Sequence, residues 1–266
     1  MNPEWTKLFP DADYDFRFGM RPGPPEGFFG ATDSNQELLA ERVHWLDESA
    51  DRYAVEQSGF NPLLEESVSL LKEWRCLPAD AYITSCESLG RLLEPDIVLL
   101  ATEPSGPRLL GGCVCFPSSW RLGDKLGMGI ESIHTPVPGL NTSLGDRISR
   151  FLTRMKPGVA WFRSNWGMSR VPDLNQHLDR DLPRLQPEVE EDELFLRIEN
   201  QALVALPESN GILFGIRLEV IPFPIVMNYP DAAHGLKRAL ESMPDDVAEY
   251  KGLAESRPGI IRLLTR

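Results

Sequence analysis

The chain changes texture once, near residue 95, and that change limits the possible folds more than any other feature. Before it, apolar residues recur at helical spacing. Leu38, Leu39, Val43, Leu46, Ala50 and Tyr53 form one stripe over residues 35–55, and Leu63, Leu64, Val68, Leu71 and Trp74 form another. Asn35 is placed to cap the first helix, and Asn61-Pro62 opens the second, where a proline loses no needed donor. A short helix is expected over residues 86–93. Beyond it, short apolar runs alternate with turn clusters. Residues 96–101 and 109–116 flank Pro104-Ser105-Gly106-Pro107 and read as a hairpin. One amphipathic helix interrupts the strands: Asn141 or Thr142 caps it, and Leu144, Ile148, Phe151, Leu152 and Met155 form its apolar face. Strands follow over residues 159–165, 194–198, 201–206 and 212–221, the last two joined by the loop Pro207-Glu208-Ser209-Asn210-Gly211. The tail from Asp231 is helical and broken by Pro244 and Pro258. Helices first, then mostly antiparallel strands with one inserted helix, is an α+β pattern.

Residues 1–33 lack periodicity but hold Phe16, Phe18, Phe28 and Phe29, so they read as an ordered arm that packs over the domain rather than a loose end. The chain therefore divides into an arm and helical segment (1–95), a sheet-bearing core (96–230) and a helical tail (231–266), together one compact domain.

A net charge of −13 argues against nucleic acid, which is held by clustered Lys and Arg, and against docking on an anionic membrane. It suits a partner that presents a basic patch. Cys76, Cys86, Cys113 and Cys115 make no CxxC pair and no CxxCH haem-attachment motif, so they read as buried thiols in a reducing compartment. The start has neither a basic n-region nor an apolar core, and no apolar run reaches the length of about 18 residues that a membrane span needs. The expected location is the cytoplasm. Gly111-Gly112 leads into a strand rather than a helix N-terminus and is no dinucleotide fingerprint.

Chemistry concentrates between Phe116 and Trp166, where proline, Trp, His and basic side chains surround the inserted helix. Of the four histidines, His44 lies beside Trp45 off the helix stripe, His177 in a polar loop and His234 near a helix start. No two are spaced for zinc. His134 differs: Pro136 and Pro138 fix the backbone just after it, so little entropy is lost in placing its ring against a ligand. The residues alone leave His134 open between a satisfied structural histidine and a ligand. They leave Arg197, Glu199 and Gln201, on one face of a strand, open between a solvated sheet face and a site.

Three ordered motifs carry a resemblance. The first is Tyr14-Asp15-Phe16-Arg17-Phe18-Gly19-Met20-Arg21-Pro22. The second comprises Pro117-Ser118-Ser119-Trp120, Lys125, Gly127, Ile133-His134, Pro136-Val137-Pro138, Arg163, Asn165 and Trp166. The third is Arg197-Ile198-Glu199-Asn200-Gln201-Ala202-Leu203 with Leu206-Pro207. Together they resemble the alpha subunit of the haem-dependent oxidative N-demethylases, over roughly six-sevenths of the chain. The resemblance implies a PAS-type sheet of five antiparallel strands with haem b against one face. It makes His134 the ligand to iron, with a place on the distal side as the alternative. Lys125, Arg163, Arg21, Trp120 and Asn165 become contacts to the haem and its carboxylates, with Arg147 a further candidate. Glu199 becomes the carboxylate that holds an ammonium substrate; Tyr14 and Tyr229 are possible polar contacts. The implied reaction uses dioxygen to oxidise a small secondary amine, whose carbinolamine collapses to formaldehyde and a shorter amine. The chain carries no flavin or iron–sulfur motif, so electrons come from separate reductase proteins. The family has Arg and Thr where Asn200 and Ala202 stand, which bears on the substrate more than the cofactor. Two rival expectations are oxidation of another nitrogen compound, such as an N-hydroxylated amine, and a haem-based sensor without turnover.

Overall fold

The computed structural model describes residues 4–265. Its centre is one antiparallel sheet of seven strands: β1 (Arg21–Gly23), β2 (Ala54–Glu56), β3 (Asp96–Glu103), β4 (Gly106–Cys113), β5 (Ala160–Ser169), β6 (Phe195–Leu206) and β7 (Gly211–Pro222). They lie in the order β1-β5-β6-β7-β3-β4-β2. Five long strands make the body, and the three-residue strands β1 and β2 extend it at the two edges. The fold is α+β, and the five-stranded expectation is corrected to seven by these edge additions.

Opposed residues in an antiparallel pair share a face, so the register sorts the core. On one face Ala160, Ala202, Val204, Leu213, Ile97 and Leu99 pack against the helices Asn35–Tyr53, Asn61–Glu73 and Cys86–Gly90. Farther along the same face, Trp166, Met168, Leu196 and Ile198 meet Phe9 and the C-terminal helices Phe223–Met227, Pro230–Ser242, Asp245–Tyr250 and Arg257–Leu263. The other face carries Val98, Leu100, Leu109, Leu203 and Ile212 and is covered by the segments between β4 and β5, chiefly Ile130–His134 and Leu140–Leu152. No helix among the described residues is long and apolar enough to cross a membrane.

Local expectations shift in instructive ways. The first helix ends at Tyr53, with Ser49 already out of helical geometry (φ −163°, ψ 83°), because Ala54–Glu56 leaves to pair with β4. Its N-cap is Ser34, not Asn35. The inserted helix begins at Leu140 behind Gly139, whose φ of 73° reverses the chain. Asn141 is thus already helical, and its amide donates to the Glu131 carbonyl at 2.9 Å. The two strands expected either side of Glu199 are one continuous strand, β6. Pro258 sits in the first turn of Arg257–Leu263 and so starts that helix rather than breaking one.

The arm lies along the sheet and its C-terminal helices. Burial alternates along residues 11–20, with Ala12, Tyr14, Phe16, Phe18 and Met20 turned inward. Phe28 and Phe29 lie on Gly215 of β7, where an added Cβ would fall 2.7 Å from one ring and 2.8 Å from the other. The largest departure from the helix stripes is Arg42. It is fully buried, paired with Asp96 at 2.6 Å, and donates to the Gly90 carbonyl at 2.9 Å.

Candidate functional site on the inserted-helix face

The register brings several motif residues to one place. Arg163 stands opposite Gln201 and Asn165 opposite Glu199. Gln201 in turn opposes Ile216, and Glu199 opposes Leu218. All six therefore share the sheet face under Ile130–His134 and Leu140–Leu152. Gln201 Nε2 donates to Glu199 Oε2 at 3.2 Å, which fixes the carboxylate along the strand.

Above this face the loop after β4 is tied down by backbone bonds. Gly127 N–H donates to the Leu109 carbonyl at 2.8 Å and Leu109 N–H to the Met128 carbonyl at 3.0 Å. Lys125 ends a short 3-10 turn, Gly123–Lys125. His134 closes the helix Ile130–His134 rather than lying in an open bend, and Ile133 beside it packs into the apolar cluster of this face. Thr135 and Pro136 are exposed, but His134 is half-buried. Burial, then Arg163 and Lys125, push its pKa down to about 4, so the imidazole is neutral at pH 7. Among the described residues the ring makes no hydrogen bond. Arg163 is half-buried, its buried Nε has no partner, and burial lowers its pKa against the pull of Glu199. A neutral imidazole, two nearby cations and a carboxylate thus converge over one sheet face.

A cavity of about 1000 Å³ opens beside it. The arm forms its outer wall; β5, β6 and β7 form its floor. β1 ends at the Arg21–Phe162 pair, leaving the edge of β5 free beyond it. Both Arg163 and Asn165 from one face, and Ser164 and Trp166 from the other, line the cavity, so it turns around that edge.

The sequence profile of the family described as haem-dependent oxidative N-demethylase, alpha subunit-like, matches residues 31–261. The chain belongs to this family. The match covers the second and third motifs, while the arm motif at Tyr14–Pro22 lies ahead of it.

For a member of a haem-dependent family the question is whether these residues suit haem, and the donor chemistry of His134, Arg163 and Lys125 does. A single neutral imidazole with no competing hydrogen bond is the right donor for iron. Arg163, with a buried and orphaned Nε–H, and Lys125 are suited to the two carboxylates that a porphyrin carries.

The remaining residues singled out in the sequence are placed differently. Arg21 pairs with Glu4 at 2.6 Å on the surface of the arm and lines the cavity instead of joining His134. Trp120 packs into the apolar cluster. Lys125, His134, Trp120 and Glu199 are not on the cavity wall, whereas Arg163 and Asn165 are. Arg147 lies over the Phe18 ring at 5.3 Å and holds the arm. Tyr14 lines the cavity; Tyr229 is exposed beside Trp5. Asn200 and Ala202 face the opposite side of the sheet from Glu199, so their departure from the family pattern leaves the His134 face untouched. Arg197 is buried and donates to the carbonyls of Asp173 (2.6 Å) and Leu174 (2.9 Å), a structural pin rather than a solvated side chain. His177 is buried within its polar loop, edge-on to Tyr53.

One residue escaped the sequence reading. Lys251 follows the helix Asp245–Tyr250 and donates to the Trp166 carbonyl at 2.7 Å, with its ammonium 4.9 Å above the indole. Burial lowers its pKa to about 8 against the pull of Glu199. It sits 52 positions after Glu199, and no motif or periodicity marks it.

Proposed function

We propose that this protein is a haem-binding oxidoreductase that uses dioxygen to oxidise a small secondary amine, with release of formaldehyde. The carrying observation is the convergence of His134, Arg163, Lys125 and Glu199 over the sheet face beneath the inserted helices, in a member of a haem-dependent family. Bound haem supplies the oxygen chemistry. His134 would hold the iron through a neutral ring nitrogen, and Arg163 and Lys125 would pair with the carboxylates of the haem. Glu199 accepts hydrogen bonds from the substrate ammonium, and Gln201 holds that carboxylate in line. The five long strands in the order β5-β6-β7-β3-β4, with helices inserted between β4 and β5, support a PAS-like reading of the haem-binding core. The family description names an alpha subunit, which supports a partner subunit, and electrons are supplied by separate reductase proteins.

Adding haem to the purified chain is expected to produce a Soret band, and His134→Ala is expected to weaken haem binding or move that band. Reduced protein given dimethylamine and air is expected to release formaldehyde. A chain that shows no Soret absorption with excess haem would overturn the proposal.

A further inference from the structure

On the opposite face of the sheet from His134, a row of polar side chains crosses three strands on the cavity floor. Ser164 Oγ donates to Asn200 Oδ1 at 2.7 Å, and Asn200 Nδ2 donates to Glu219 Oε1 at 2.8 Å. Aromatic and aliphatic groups flank it: Phe28 stacks on Phe162 with ring centroids 5.9 Å apart, and Trp166 and Ile198 continue the wall, while Arg17, Arg21 and Arg163 line other parts of the same cavity.

The donors all run one way, which decides what is left over. Ser164 keeps free lone pairs, Asn200 Oδ1 keeps one, and Glu219 keeps Oε2; a single N–H remains, on Asn200. Arg217, directly opposite Asn200, does not fill the gap. Its guanidinium is committed to Glu94 and to the carbonyls of Phe28 and Gly30. Among the described residues Glu219 forms no ion pair, and burial pushes its carboxyl up against the opposing pull of the Asn200 hydrogen bond and the Arg217 charge. The row therefore wants a positively charged group with several N–H donors. An alcohol brings one donor and no charge. An ammonium brings both, and aromatic faces favour its charge as well.

We propose that the Ser164–Asn200–Glu219 row binds the head group of an organic ammonium ion, with the apolar body of the ligand against Phe28, Phe162 and Trp166. This site lies across the sheet from the His134 face and does not depend on haem.

Calorimetric titration of the full chain with N-methylbenzylammonium chloride at pH 7, as purified and again with haem added, tests this. Saturable binding is expected in both. The neutral analogue benzyl methyl ether should bind at least tenfold more weakly, and Glu219→Gln should weaken the ammonium at least tenfold. Ser164→Ala should weaken it several-fold, and His134→Ala should leave it unchanged. Absence of saturable binding, equal affinity for the ether, unchanged affinity in Glu219→Gln, or loss of binding in His134→Ala would each overturn the proposal. Thermal unfolding checks that Glu219→Gln is folded; should it not be, exposed Ser164 carries the test, and unchanged affinity in Ser164→Ala overturns it.

Discussion

Arg42 shows how one residue can set the geometry around it. Its guanidinium is sealed between helix and sheet, and Asp96, its partner, also accepts the N–H groups of Cys115 (2.7 Å) and Phe116 (3.1 Å). Removing one member of such a pair strands the other charge in a region water does not reach. Arg42→Met is expected to lower stability by roughly 3–5 kcal/mol, measured by urea unfolding, with Asp96→Asn comparably damaging. Lys251 makes the opposite kind of statement. Its folded pKa, about 8, lies below the ordinary 10.5, so between those values the unfolded chain holds a proton that the folded chain has released. Stability attributable to Lys251 therefore rises with pH through that window. Tyr14 works against it: burial raises its pKa from 10.0 to about 12, so stability falls as pH climbs above 10. In chemical unfolding from pH 7 to 10, wild type should gain stability from about pH 8 upward, and Lys251→Met should lack that gain.

Among the elements, the arm depends on the helix Pro230–Ser242. Arg238 binds Asp13 and Asp11, Ser242 accepts the N–H of Tyr14 at 2.8 Å, and the backbone of Phe9 lies directly on Gly235. A Cβ at Gly235 would fall 2.1 Å from the Phe9 carbonyl oxygen. That contact is with backbone, which cannot swing aside as a side chain can. Gly235→Ala is expected to cost about 1–3 kcal/mol and to speed hydrogen exchange across residues 9–20, because the displaced segment is the outer wall of the cavity. Exchange unchanged in those amides would mean that the arm is held elsewhere.

For the whole molecule, the helices after β7 are part of the core rather than an appendage. Leu194, Leu196 and Ile198 of the sheet side pack against Leu236, Leu240, Val247, Leu253 and Ile260. Burial of this extent supplies much of the driving force that a single domain has available. A chain ending at residue 229 is expected to lose its cooperative thermal transition and near-UV circular dichroism, not merely to fold less stably.

The amphipathic stripes, the hairpin turns and the α+β order were legible because each depends on neighbours within a few positions, where backbone periodicity and turn chemistry act directly. His134, Lys125, Arg163 and Glu199 were legible as candidates through motifs, but their convergence was not. It requires β5 to lie beside β6 in the register that sets Asn165 opposite Glu199, and no local signal carries that register. The same limit hid the unity of β6, the burial of Arg42, the reach of Lys251 to the Trp166 carbonyl and the acceptor row on the far face. Each is a contact between segments far apart in the chain, chosen by how the packed elements share space and how buried charges find partners, so only the tertiary structure decided it.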